Sequence, residues 1–218
     1  MQFPFTTEEF LNVFKSYNES IFPLQFIFYL IGLFIVFLLF KKIKSRDKII
    51  SLLLSFFWLW IGIVYQTIYF STINKAAYFF GILFILQGII FIIYGIISNK
   101  LLFTYNKSVY NYTGIFFILY SLLIYPVLGY NLGHQYPYSI TLGLPCPTVI
   151  FTFGILLFID NKISFLVLII PMLWSIIGFG AALNFSVYED FGLLLAGLAG
   201  FILLIIHNEK IKYVVKTV

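Results

Sequence analysis

The chain is predicted to be an all-α integral membrane protein with seven transmembrane helices, and three observations carry that prediction. Hydrophobic residues fill 62% of its 218 positions and charged residues only 10%, with a mean hydropathy of +1.05. A water-soluble domain carries about 25% charged residues. The apolar residues gather into seven stretches, as a hydrocarbon core about 30 Å thick requires of helices rising 1.5 Å per residue. Of the thirteen Lys and Arg residues, only Lys15 and Lys75 fall in gaps that an alternating topology places on the side opposite the rest.

The expected spans are residues 23–40, 49–70, 77–97, 112–130, a short one over 147–159, then 163–183 and 191–206. Between the first two lies Lys41-Lys42-Ile43-Lys44-Ser45-Arg46-Asp47-Lys48, a short loop rich in positive charge that belongs in the cytoplasm. Alternation then places Lys100, Lys107, Lys162, Lys210, Lys212 and Lys216 on the same side, with the N-terminus outside and the C-terminus inside. No secretory signal is expected, because the first long apolar run starts after residue 20 and lacks a basic segment before it. The chain reads as one membrane domain over 1–218: an interfacial segment (1–22), the bundle (23–206) and a cytoplasmic tail (207–218). The compartment expected is the inner (plasma) membrane.

Ahead of the first span, Thr6-Thr7-Glu8-Glu9 has the character of a helix N-terminus, and Phe10, Leu11, Val13, Phe14, Tyr17 and Ile21 recur at near-helical spacing. A short amphipathic helix lying in the outer interface follows, serving as an anchor or as a lid over an outward-facing cavity. In the last span Gly192, Ala196 and Gly200 repeat every four residues. Such a stripe lets helices approach closely, within the chain or against a second copy or a partner helix. Besides those partners only the lipid bilayer is expected. The pI of about 9.1 reflects the positive-inside residues and implies no nucleic acid.

The main irregularity runs from Tyr130 to Phe153. Pro145 and Pro147 are expected to start the fifth helix near Pro147, leaving it too short to cross the membrane. The preceding Gly- and Pro-containing segment should therefore dip inward as a re-entrant loop, and irregular backbone at that depth must be buried in protein or line a cavity. Cys146 would cap the helix. His134 lies on the same predicted face, as do Glu189 and Asp190 at the start of the last span. The candidate ligand-binding residues are His134, Tyr136, Cys146, Thr148, Glu189 and Asp190, with Gln66 and Gln87 as polar residues inside spans. Cys146 and His134 are the candidate metal ligands, and no cofactor is predicted.

Gly133-His134-Gln135-Tyr136-Pro137 and Pro145-Cys146-Pro147-Thr148, with Ile150 to Gly154, Val64-Tyr65, Ile73-Asn74, Ala76-Ala77 and Pro4-Phe5, resemble an uncharacterised bacterial membrane family known only as a domain of unknown function. The resemblance covers nearly the whole chain. Its pattern places a His after Tyr65 and a Pro after Asn74, where this chain has Gln66 and Lys75, so no two-histidine metal site follows. The resemblance implies which residues to test and no activity.

Signatures of hydrolases, zinc peptidases and nucleotide-binding loops are absent, and Arg46, the only arginine, offers no clamp for phosphate. An enzyme is therefore the less favoured class. The leading expectation is a non-catalytic accessory or scaffold protein using its small-residue faces. One alternative is a small-molecule or metal transporter with a pocket under residues 133–147, to which a three-plus-one-plus-three arrangement of spans adds weight. The other is a redox or metal-handling protein using Cys146 and His134.

Overall fold

The computed structural model describes residues 4–217; residues 1–3 of the expected interfacial segment and Val218 of the expected tail lie outside them. The helices are α1 (Thr7–Ile21), α2 (Leu24–Phe40), α3 (Arg46–Trp60), α4 (Ala77–Phe91), α5 (Val109–Leu119), α6 (Tyr125–Asn131), α7 (Pro145–Leu156), α8 (Phe165–Phe185) and α9 (Phe191–Thr217). Wider π-helical turns extend α3 over Ile61–Tyr69, extend α4 over Ile92–Ile97 and join α5 to α6 over Tyr120–Ile124.

Five of the resulting rods are long and apolar enough to cross a membrane: Arg46–Thr72, Ala77–Ile97, Val109–Asn131, Phe165–Phe185 and Tyr188–Lys212. The 17 residues of α2 fall just short, and α2 meets α1 at a bend of 87°. Counted as one bent span, that pair makes six. Large apolar side chains such as Phe26, Leu30 and Leu33 on α2 and Phe79 and Ile82 on α4 stand outward, as lipid-facing residues do. The last helix runs on to Thr217, where the sequence reading placed a tail from residue 207.

The fifth helix starts two residues earlier than the sequence suggested. Pro145 and Pro147 both lie within the first turn of α7, where backbone N–H groups have no intrahelical acceptor, so neither ring removes a hydrogen bond. Leu144 precedes the helix, and Cys146 is its second residue instead of its cap. Every residue from Pro147 to Leu156 is buried. With only 12 residues, α7 is a core rod packed among α3, α5, α8 and α9. A helix that is apolar all round is the kind that occupies such a position.

The π-helical turns have local causes. Pro126 has no N–H to offer the preceding turn, and the widened segment Tyr120–Ile124 sits directly before it. In Ile61–Tyr69 the Thr67 hydroxyl donates to the carbonyls of Gly62 (2.6 Å) and Ile63 (2.8 Å), supplying partners that a regular ladder would have provided. Pro171 inside α8 likewise leaves the carbonyl of Val167 without its usual donor, and Gln87 Nε2 donates to it at 3.1 Å.

Two ends result. At one, Arg46, Asp47, the 99–108 segment and the 159–163 turn are tied together: Phe103 pairs with Ile159, and Asn208 exchanges two hydrogen bonds with Ile163. At the other lie α1, the loop before α7 and the start of α9.

Candidate functional site

α1 begins with a capping box, Thr6 Oγ1 accepting from the Glu9 N–H while the Glu9 carboxylate accepts from the Thr6 N–H. Those hydrogen bonds hold the Glu9 carboxyl below the usual glutamate value. The apolar face of α1 turns inward, burying Phe10, Val13, Phe14, Tyr17 and Ile21. Its polar residues on that face fasten the loop: Asn18 Nδ2 donates to the carbonyls of Pro137 and Ser139, each at 2.7 Å, and Tyr17 OH donates to that of Gly143 at 3.0 Å. Gly143 has φ of +99°, and a Cβ there would stand 2.3 Å from the Phe28 ring, so both backbone and space demand glycine. The loop is thus tied down by backbone acceptors that would otherwise be orphaned.

Beneath α1 is a cavity of about 120 Å³. Phe10 and Phe14 of α1 roof it, Tyr65 and Phe70 wall one side, Pro145 and Cys146 of α7 another, and Trp174, Ile177 and Gly178 of α8 a third. Tyr125 and Asp190 are also in the lining. Of the walls only Ile177 is exposed, at 41%, which places the mouth beside the C-terminal half of α8. The rings contact one another, Tyr65 lying parallel to both Phe14 and Phe70 with centroids 6.0 Å apart, and Phe80 meeting Trp174 edge-on at 5.4 Å.

Two adjacent carboxylates stand at this end, both on the short turn that opens α9, where the positive helix terminus favours them. Glu189 is 0% exposed, and its Oε1 lies 2.7 Å from His134 Nδ1 while Oε2 has no partner. Asp190, 4% exposed, accepts from Tyr125 OH at 2.5 Å and from the Cys146 thiol. Tyr120 OH donates to the Glu189 carbonyl at 2.8 Å, securing the turn itself. The indole Nε1 of Trp174, a residue only 8% exposed, has no oxygen or nitrogen acceptor and faces the Cys146 sulfur, a weak one, beside Gly178.

The structure gathers four of the sequence-predicted residues here: His134 with Glu189, and Cys146 with Asp190. The others lie elsewhere. Tyr136 is 57% exposed and packs on Phe22 outside the cavity. Thr148 is buried inside α7, accepting from the Gly143 N–H at 3.1 Å. Gln87 joins α4 to α8 at the Pro171 break. Gln66, beside Tyr65, is fully buried with neither amide atom partnered. Among the described residues no three His, Cys, Asp or Glu side chains are grouped so as to hold a metal ion. The stripe of Gly192, Ala196 and Gly200 is covered within the chain: a Cβ on Gly192 would stand 2.1 Å from Tyr120, and one on Gly200 2.7 Å from Phe153. Tyr65, Tyr125 and Trp174 were not singled out as ligand-binding by sequence reasoning. The signals available were Val64-Tyr65 within the family resemblance and Pro126, which marks a helix disturbance next to Tyr125.

A family model described as a family of unknown function (DUF6064) matches residues 7–213. No curated protein and no solved structure matches the chain.

Proposed function

We propose that this chain, which belongs to the family of unknown function DUF6064, is a multi-pass plasma-membrane protein that binds a small ligand in the cavity beneath α1. The observation that carries the reading is a mostly aromatic cavity into which a few polar groups converge, one of them, the Trp174 N–H, with no acceptor better than the Cys146 sulfur. Buried polar groups are ordinarily satisfied, so a donor this weakly satisfied beside a cavity marks a place for a ligand atom. A water-sized atom takes about 10–15 Å³ of such space, so the cavity holds about ten non-hydrogen atoms.

In this reading the seven apolar stretches include α2 and the core helix α7, the cavity end faces outward, and the basic end faces the cytoplasm. Supporting the orientation is the gathering of Arg46, Lys100, Lys162 and Lys210 at one end, with Lys15 and Lys75 at the other. Single cysteines at positions 44 and 105 in a Cys146→Ser background then label from the cytoplasm and one at position 186 from outside. Labelling of position 186 from the cytoplasm would invert the scheme. A scaffold role has less support, since the small-residue stripe is already packed inside the chain.

The cavity is tested with its own thiol. Cys146 is the only cysteine and lines the wall, so methyl methanethiosulfonate, small enough to enter, modifies it in the folded protein. Ile177→Trp at the mouth slows that reaction. Equal rates in the two proteins, or modification only on unfolding, would remove the accessible cavity and the ligand-binding reading with it.

A further inference from the structure

We propose that the ligand is a small organic cation, a protonated amine or quaternary ammonium that also carries a hydrogen-bond acceptor; this rests on the ligand-binding reading above. Charge is the first argument. Glu189 and Asp190 are both buried, and the one imidazole beside them, His134, is already in contact with Glu189 at 2.7 Å. Asp190 has hydroxyl and thiol donors but no ion-pair partner among the described residues. One imidazole for two carboxylates leaves Asp190 without an ion-pair partner, and a buried carboxyl so placed either holds a proton or takes a cation in its place. The two lysines of this end do not supply the cation: Lys15 lies over the Tyr138 ring and Lys75 over that of Tyr78, and neither lines the cavity.

The walls are the second argument. Tyr65, Phe70, Phe14 and Trp174 surround the space next to Asp190. Aromatic faces attract a cation through their quadrupole, most strongly where water is excluded, and a desolvated aromatic box with a carboxylate is how quaternary ammonium groups are held. The third is the Trp174 N–H, which has only the Cys146 sulfur, a weak acceptor, and is better satisfied by a hydroxyl or a carbonyl on the same ligand. A cation without any acceptor would leave that donor on the sulfur alone. A neutral ligand would leave Asp190 without an ion-pair partner.

Choline supplies both features, and 3,3-dimethylbutan-1-ol is the same shape without the charge. Binding of each to the purified full chain in nanodiscs is read by saturation-transfer NMR and by titration. The expected result is choline binding with the uncharged isostere at least about tenfold weaker, and loss of choline binding in Asp190→Asn while methanethiosulfonate still reaches Cys146. Tyr65→Leu weakens choline and leaves the isostere unchanged. Equal binding of the two probes, or undiminished choline binding by Asp190→Asn, overturns the cation assignment and leaves the cavity standing. Failure of both probes with Cys146 still reactive overturns it in the same way, whereas failure of both with Cys146 unreactive overturns the cavity reading too. The comparison of the two probes uses the unmodified chain and does not depend on any variant folding.

Discussion

Asp47 and Asp190 stand at the starts of two helices at opposite ends of the bundle, and their surroundings differ in kind. Asp47 Oδ1 lies 3.1 Å from Arg46 Nε and accepts the Phe103 N–H at 3.1 Å, while Arg46 also donates to the Phe103 carbonyl. These groups have partners inside the chain, so Arg46 and Asp47 form a clamp joining α3 to the 99–108 segment. Asp190 has two neutral donors and a void in front of it. The lesson is that a carboxylate tied to a charged side chain and a backbone N–H of its own chain supports the fold, whereas one held by neutral donors beside a buried cavity keeps its ion-pairing capacity unused.

The comparison is tested first by packing. Gly192→Ala places a methyl against Tyr120, the ring whose hydroxyl secures the Glu189 turn. A loss of about 1–3 kcal/mol of stability is expected from overpacking, measured by unfolding in detergent. No loss would mean that this end is loosely built and that its cavity is slack, not architecture. Next comes Asp47→Ala, which orphans the Phe103 N–H and frees Arg46. It should cost about 1–2 kcal/mol, the lower end because water reaches the pair.

Asp190→Asn should change stability by less than about 0.5 kcal/mol or raise it, because the amide oxygen still accepts from Tyr125 and no ion pair is broken. A loss as large as that of Asp47→Ala would erase the distinction between the two ends. The smallest effect concerns the roof. The folded-state carboxyl of Glu9 titrates below its ordinary value, so its support of the α1 cap is present above that ordinary value and is lost as pH falls through the lowered one. Protease access to α1 should rise over that acid range, and Glu9→Gln should abolish the pH dependence.

The amphipathic α1 was legible because Thr6, Glu9 and the 3.6-residue recurrence of Phe10, Phe14 and Tyr17 are local signals. Its role as the roof of a cavity was open, since anchor and lid give the same periodicity. The short fifth helix was recognised from Pro145 and Pro147, but its start was misplaced because two prolines fit within one unbonded first turn. Gln87 drew attention as a polar residue in a span, yet its partner is the Val167 carbonyl freed by Pro171 some 80 positions away. Such a pairing leaves no trace in either local sequence.

By itself the sequence determined the all-helical apolar character, the gathering of positive charge into one set of gaps and the irregular segment before α7, because hydropathy, charge and proline geometry act along the chain. Only the tertiary structure decided which polar residues meet. Tyr65, Tyr125, Cys146, Trp174 and Asp190 come from five separate segments, and they converge because α7 is buried at the centre and α1 folds back across the open end. The same packing consumed the Gly192, Ala196 and Gly200 stripe inside the chain. Whether a small-residue face meets its own neighbours or a partner depends on how the helices are arranged around it, and periodicity along one helix carries no information about that.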